Sequence, residues 1–159
     1  MRGFIDIVEN AQNVRFEVLS GPDTIKLVDR VEPDLWDSKR IRYLLRSEAR
    51  NENHIVAFSG DIIAGMAGVQ TNPYDPQHLW IKFVSIDPNY QGRGFGRALL
   101  ERVYGYAAAH QQKIAPGSFT EEGERLAHLH DEFDALYPEV AFRRGADGSY
   151  LNDQGQKIR

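Results

Sequence analysis

Cysteine is absent from the 159 residues. That excludes a disulfide framework, a thiolate nucleophile and any cysteine-based zinc site. Long hydrophobic runs are also missing: the longest mostly apolar stretch, Ile62 to Val69, falls far short of the roughly 20 residues a membrane-spanning helix needs. Positive charge is not in excess, since 19 Lys and Arg stand against 23 Asp and Glu for a formal net charge of −4. A nucleic-acid coat or a membrane-surface binder is therefore disfavoured. No internal repeat and no low-complexity linker divides the chain. Asp6 and Glu9 interrupt the start where a signal peptide keeps an unbroken apolar stretch. A cytoplasmic location is the expectation, and the lack of cysteine suits a reducing compartment.

What is there fits one globular domain over residues 1–159: 42% hydrophobic, 11% aromatic and 26% charged residues. A chain of this length buries roughly 68–70% of its unfolded surface and needs no metal or disulfide staple. The alternation Val14-Arg15-Phe16-Glu17-Val18 reads as a strand. Ser20-Gly21-Pro22 and residues 71–76 read as loops. Pro33 is expected to open a helix reaching about Arg50, with Leu35, Ile41, Leu44, Leu45 and Ala49 on one stripe. Its basic residues Lys39, Arg40, Arg42, Arg46 and Arg50 read as a solvated face, partly balanced by Glu48 and Glu52. The alternative is a surface for an acidic acceptor or nucleic acid. Residues 55–58 and 62–69 form a hairpin signal around Ser59-Gly60-Asp61, and Leu79 to Ile86 reads as a central strand. A helix from about Gly94 to Gln111 turns Leu99, Leu100, Val103 and Ala107 inward, and a short strand follows at Lys113-Ile114-Ala115. A last helix begins near Thr120, with Ser118 and Glu121 at capping-box spacing. It carries Leu126, Leu129, Phe133, Leu136 and Tyr137 at helical intervals and ends at Pro138. Strands alternate with helices, so the expected fold class is α/β, an α+β layered single domain with at least one crossover.

The informative segment runs Ile86-Asp87-Pro88-Asn89-Tyr90-Gln91-Gly92-Arg93-Gly94-Phe95-Gly96-Arg97-Ala98-Leu99-Leu100. A buried strand ends, three alternating glycines follow, and a helix starts at once. Glycines let backbone N–H groups approach phosphate oxygens, and a helix N-terminus adds partial positive charge. Arg93 and Arg97 add full charges. The glycines at 92, 94 and 96 do not have the Gly-x-Gly-x-x-Gly spacing of a dinucleotide fold, and no Gly-Lys-Ser/Thr of a Walker loop occurs. A turn using glycine for geometry alone is the bland alternative.

Ile86-x-Pro88, Tyr90-Gln91-Gly92-x-Gly94-x-Gly96 and Ala98-Leu99-Leu100 resemble the GNAT superfamily of acyl-CoA-dependent N-acyltransferases. The family motif, Arg/Gln-x-x-Gly-x-Gly/Ala, is met by Gln91, Gly94 and Gly96. The resemblance is tight over Leu79 to Ala109. It implies a mixed, strongly twisted sheet flanked by helices, with acetyl-CoA wedged between two splayed parallel strands. It further implies that amides of Gln91, Gly92, Arg93, Gly94, Phe95, Gly96 and Arg97 hold the pyrophosphate. The edge at Val84, Ser85 and Ile86 would pair with the pantetheine arm, and an N–H near Val84 would stabilise the oxyanion.

The chemistry needs a neutral amine. Only about 0.04% of a lysine-like amine is neutral at pH 7, equivalent to ~4.6 kcal/mol. The departing thiolate also benefits from a proton donor. Tyr137, followed by Ala141-Phe142, resembles the family's Tyr followed four and five residues later by Gly-Phe, which implies a general acid beside the CoA sulfur. Packing of Tyr137 beside Phe133 and Leu136 is the alternative. The carboxylate that family members often carry in the strand is absent, since Lys82 and Phe83 hold those positions. His54 and Glu122 are the remaining candidates for a base acting through water, beside a site with no dedicated base. His130 stands where the family has Asn, and on an apolar stripe it reads first as a satisfied core residue. No His, Asp or Glu grouping has metal-ligand spacing, so no metal is expected.

The sequence thus points to an N-acetyltransferase using acetyl-CoA on a small-molecule or peptide amine. A non-catalytic CoA-binding or partner-binding module on the same fold is the alternative. Neither a membrane nor nucleic acid is an expected partner. The resemblance leaves a homodimer open, because family members are often dimers.

Overall fold

The computed structural model describes residues 14–46, 52–72, 75–116 and 121–158. Among these residues, seven strands and four helices run in the order β1 (Val14–Ser20), α1 (Gly21–Val31), α2 (Ser38–Arg46), β2 (Glu52–Ser59), β3 (Ile62–Asn72), β4 (Asp75–Ile86), α3 (Phe95–Ala109), β5 (Lys113–Pro116), α4 (Glu121–Leu136), β6 (Arg143–Arg144) and β7 (Tyr150–Leu151). Strands β1 to β5 form one sheet in sequence order, and β6 pairs with β7 separately. The pairs β1–β2, β2–β3 and β3–β4 are antiparallel, whereas β4–β5 is parallel and is bridged by α3. The fold is mixed α/β and single-domain, as the alternation of elements required.

Two cores explain the layering. Along β2, Ile55 and Ala57 point to one face, and Val56 and Phe58 to the other. The first face receives Phe95, Leu99, Leu100, Val103 and Ala107 of α3 with Leu129 and Phe133 of α4. The second receives Leu27 and Val28 of α1 and Ile41 and Leu45 of α2. Both faces of the sheet are therefore covered.

Several boundaries differ from the sequence reading. Ser20-Gly21-Pro22 is not a loop but the start of α1: the Ser20 side chain caps the helix, accepting from Asp23 N at 3.2 Å. Proline in the first turn costs nothing there, because its missing N–H has no intrahelical partner. Pro33 opens only a three-residue 3-10 turn, Glu32–Asp34, and the helix proper begins at Ser38. Strand β4 begins at Asp75 rather than Leu79. Leu136, at the end of α4, is 57% exposed instead of inward. Ser118, Ala49 and Arg50 lie outside the described residues, as does the side chain of Leu126.

Two features of β4 shape the region where it ends. Gly68 pairs with Phe83 but Val69 with Ile81, so Lys82 is an extra residue, a β-bulge facing β3. The last described pair of the parallel ladder to β5 is Ile81–Pro116. Proline has no N–H to extend a ladder. Beyond that pair, the described pairing of β4 is with β3 alone, out to Ile86 opposite Gly65.

Candidate active site

Where β4 ends, Asp87 N donates to Ala64 O at 2.9 Å, and the Asp87 side chain caps a 3-10 turn, Pro88–Tyr90, by accepting from Asn89 N at 2.9 Å. The Gln91 side chain reaches back to Ile86 O over a long 3.4 Å. Gly92 and Gly94 then take left-handed conformations, φ +78° and +87°, which side-chain-bearing residues avoid. Gly94 is the N-cap of α3, and its carbonyl accepts from Ala98 N at 3.0 Å. The amides just before Ala98 have no intrahelical acceptor and lie at the positive end of the helix dipole. A Cβ built on Gly92 would meet nothing within 4 Å, so the turn is open on that side.

The two arginines of this turn differ. Arg93 is exposed and lies 5.1 Å from the Tyr90 ring centroid. Arg97 instead leans onto α4, where it grips Glu132 with two N–H donors, and its guanidinium lies 5.3 Å from the Phe133 ring centroid. The hydrogen bonds raise the Arg97 pKa and lower that of Glu132. Arg97 thus anchors the start of α3 to α4 with its side chain, while its amide remains in the turn.

On the open stretch of β4, Val84 and Ile86 pack into the α3 core. Ser85 faces the other way, and its Oγ accepts from Trp36 Nε1 at 2.9 Å. Trp36 sits between α1 and α2, packed on the second core. Tyr137 follows the end of α4, half-buried, its ring 5.9 Å from that of Tyr104. Its hydroxyl has no hydrogen bond among the described residues. Phe142 is buried, with its ring 4.5 Å from His78. Ala141 bridges Ile114 of β5, so the segment after Tyr137 lies alongside the strand that parts from β4.

The candidates for a base separate. The side chain of Glu122 lies outside the described residues. His54 is wholly buried on β2, its Nδ1 2.9 Å from Thr24 Oγ1 and its Nε2 2.8 Å from Glu52 Oε2. Glu52 also accepts from Lys82 Nζ at 3.0 Å, and Lys82 donates to Leu44 O at 2.8 Å. Glu52 therefore does not balance the basic face of α2, contrary to the sequence reading. On that face Arg42 instead pairs with Glu32 and Asp29, at 2.8 and 2.7 Å. The period-two run Glu52-x-His54-x-Val56-x-Phe58 was the signal that Glu52 shares a buried face.

His130 is buried, 3.4 Å from the Tyr104 hydroxyl, and burial pushes its pKa down to about 4. Tyr104 donates to Asp134 at 2.7 Å, and Arg144 of β6 donates to Asp134 and Asp131 at 3.0 and 2.9 Å. This cluster ties the β6–β7 hairpin to α4. Among the described residues no three His, Asp or Glu side chains gather as a metal-ligand set, and no helix is long and apolar enough to cross a membrane.

A model of the acetyltransferase (GNAT) family matches residues 21–133, more than two-thirds of the chain. No curated protein matches the sequence. Among solved structures, one from Desulfovibrio desulfuricans assigned to the GNAT acetyltransferases superposes with a TM-score of 0.56 at 19% identity, over 75% of this chain and 82% of that one. An aminoglycoside acetyltransferase from an uncultured soil sample, in complex with sisomicin, gives 0.51 at 18% identity, over 78% and 88%. A ribosomal-protein-alanine N-acetyltransferase from Brucella melitensis gives 0.52 at 16% identity, over 74% and 90%. With a family model spanning most of its length and a fold shared with these structures, the chain belongs to the GNAT family of acetyltransferases.

Proposed function

We propose that this acetyltransferase moves an acetyl group from acetyl-CoA to a primary amine by direct attack in a ternary complex. The observation that carries this reading is the left-handed turn at Gly92 and Gly94, which leads into α3 from the end of β4, a strand whose last described pair with β5 is Ile81–Pro116. A strand end and the amides at a helix N-terminus suit the two halves of CoA: an amide-bearing arm and a diphosphate. Amides of Gln91 to Arg97 hold the diphosphate, and the edge at Val84, Ser85 and Ile86 pairs with the arm. The amide of Val84 points at the thioester oxygen. The amine nitrogen bonds to the acyl carbon, the carbon–sulfur bond breaks, Tyr137 gives its proton to the leaving sulfur, and the proton that the nitrogen sheds restores the Tyr137 hydroxyl. A hydroxyl with no hydrogen bond among the described residues is suited to that role.

The acceptor is a small-molecule or peptide amine. The sisomicin-bound neighbour makes polyamines a first choice for a screen. The whole chain acts as one catalytic unit in the cytoplasm, with a homodimer as the assembly to test. Calorimetry with acetyl-CoA, followed by thiol release across an amine panel, tests the reading. Tyr137→Phe should then lower turnover by at least tenfold with acetyl-CoA affinity unchanged. Absence of acetyl-CoA binding at high micromolar concentration would refute it.

A further inference from the structure

The carboxylate that β4 lacks arrives from two strands away. Glu52 begins β2, and β3 lies between it and Lys82 of β4. The crossing point is Gly68, where a Cβ would stand 2.5 Å from the Phe83 ring and 3.3 Å from Glu52 Oε2. Glu52 reaches β4 because position 68 carries no side chain.

The resulting chain is sealed at one end and open at the other. The side chains of Glu52 and His54 are 0% exposed, whereas that of Lys82 retains 17%. Lys82 is the bulged residue, one step past the last β4–β5 pair and two before Val84, about 7 Å along a strand. An ammonium has three N–H donors. Two are spent on Leu44 O and Glu52 Oε1, and the third has no partner among the described residues. The other groups that face the pair are Thr24 from α1, the Leu44 carbonyl from α2, and Gly68 and Phe83 from β3 and β4. Of these, none carries a charge. A buried ion pair adds little stability over an apolar filling, so stability alone gives no reason for this one.

We propose that Lys82 and Glu52 are the proton relay that neutralises the acceptor amine, with His54 as the positioning residue that holds the carboxylate. This rests on the acetyl-transfer reading above. Lys82 passes one proton to Glu52 Oε1 and takes one from the ammonium of the acceptor. The acceptor is left as a free amine, Lys82 is an ammonium again, and Glu52 is a carboxylic acid. No bond of the acetyl donor changes in this step. After turnover the proton leaves by the same route, through Lys82 to solvent.

The decisive variant is Lys82→Arg, which keeps the charge and the donors to Glu52 and Leu44 but does not release a proton. Lys82→Arg, Lys82→Met and Glu52→Gln are compared with the parent chain for acetyl-CoA affinity by calorimetry and for kcat at pH 7 and pH 10. All three should bind acetyl-CoA like the parent and lose about 100-fold in kcat at pH 7. The loss should shrink at least tenfold at pH 10, where about a quarter of a lysine-like acceptor is neutral unaided. Full turnover by Lys82→Arg at pH 7, or an equal loss at both pH values, would overturn the relay. Should Glu52→Gln not fold, the Lys82 variants decide by the same criteria. A parent chain that neither binds acetyl-CoA nor releases thiol would overturn the acetyl-transfer reading and the relay together.

Discussion

Trp36 Nε1 donates to Ser85 Oγ at 2.9 Å, so the turn between α1 and α2 is fastened to β4 one residue beyond Val84. The bond links a segment on the second core to the stretch of β4 beyond its last described pair with β5. Ser85→Ala removes one side-chain hydrogen bond and should cost about 1 kcal/mol in stability. Its larger effect should be on the acceptor, with KM rising several-fold while acetyl-CoA affinity is unchanged. Steady-state kinetics beside calorimetry reads both.

The left-handed turn makes a prediction about conformation alone. Gly92 has φ +78° and open space around its Cβ position, so any cost of substitution there comes from the backbone. Gly92→Ala should destabilise by about 1–2 kcal/mol, and Gly92→Asn by less, because Asn tolerates this region better. Both should weaken acetyl-CoA binding. Denaturant midpoints and calorimetry on the two variants would show the order.

Two glycines with opposite surroundings should respond with opposite signs. Gly68→Ala drives a methyl into the Phe83 ring at 2.5 Å and should cost about 1–3 kcal/mol through overpacking. Gly105, within α3, has nothing within 4 Å of its Cβ position. Gly105→Ala should stabilise by up to about 1 kcal/mol through helix propensity. Thermal unfolding of the pair checks both signs.

His130 gives a pH dependence. Its folded pKa is about 4, pushed down by burial from an ordinary 6.5. Between those values the unfolded chain binds more protons than the folded one. Stability from this group is therefore complete above pH 6.5 and falls as pH drops toward 4, by about 3 kcal/mol in total. The charged groups around it are Asp131, Asp134 and Arg144. His130→Gln should flatten the slope of unfolding free energy between pH 6.5 and 4, measured by urea titration at several pH values.

The elements with strong periodicity were legible in the chain. Leu99, Leu100, Val103 and Ala107 lie buried on α3, and Gly60-Asp61 lies between β2 and β3, with Ser59 closing β2. The glycine turn was legible because it is contiguous, its geometry needing no distant partner. Helix α1 was hidden behind Gly21-Pro22, which mark loops as readily as helix starts; the Ser20 cap decides between them. The Glu52–Lys82 contact was illegible for another reason. It joins residues 30 positions apart, and only strand order and the missing side chain at 68 reveal it. Trp36 and Ser85, 49 positions apart, escaped for the same reason.

Among the described residues the parallel ladder runs no further than Pro116, and the far half of β4 has no described strand on that side. On the acetyl-transfer reading, a bound acyl carrier would lie along this edge as an added ribbon. Deuterium uptake at residues 83–86 should then fall when such a ligand is added, and the melting temperature should climb with its concentration.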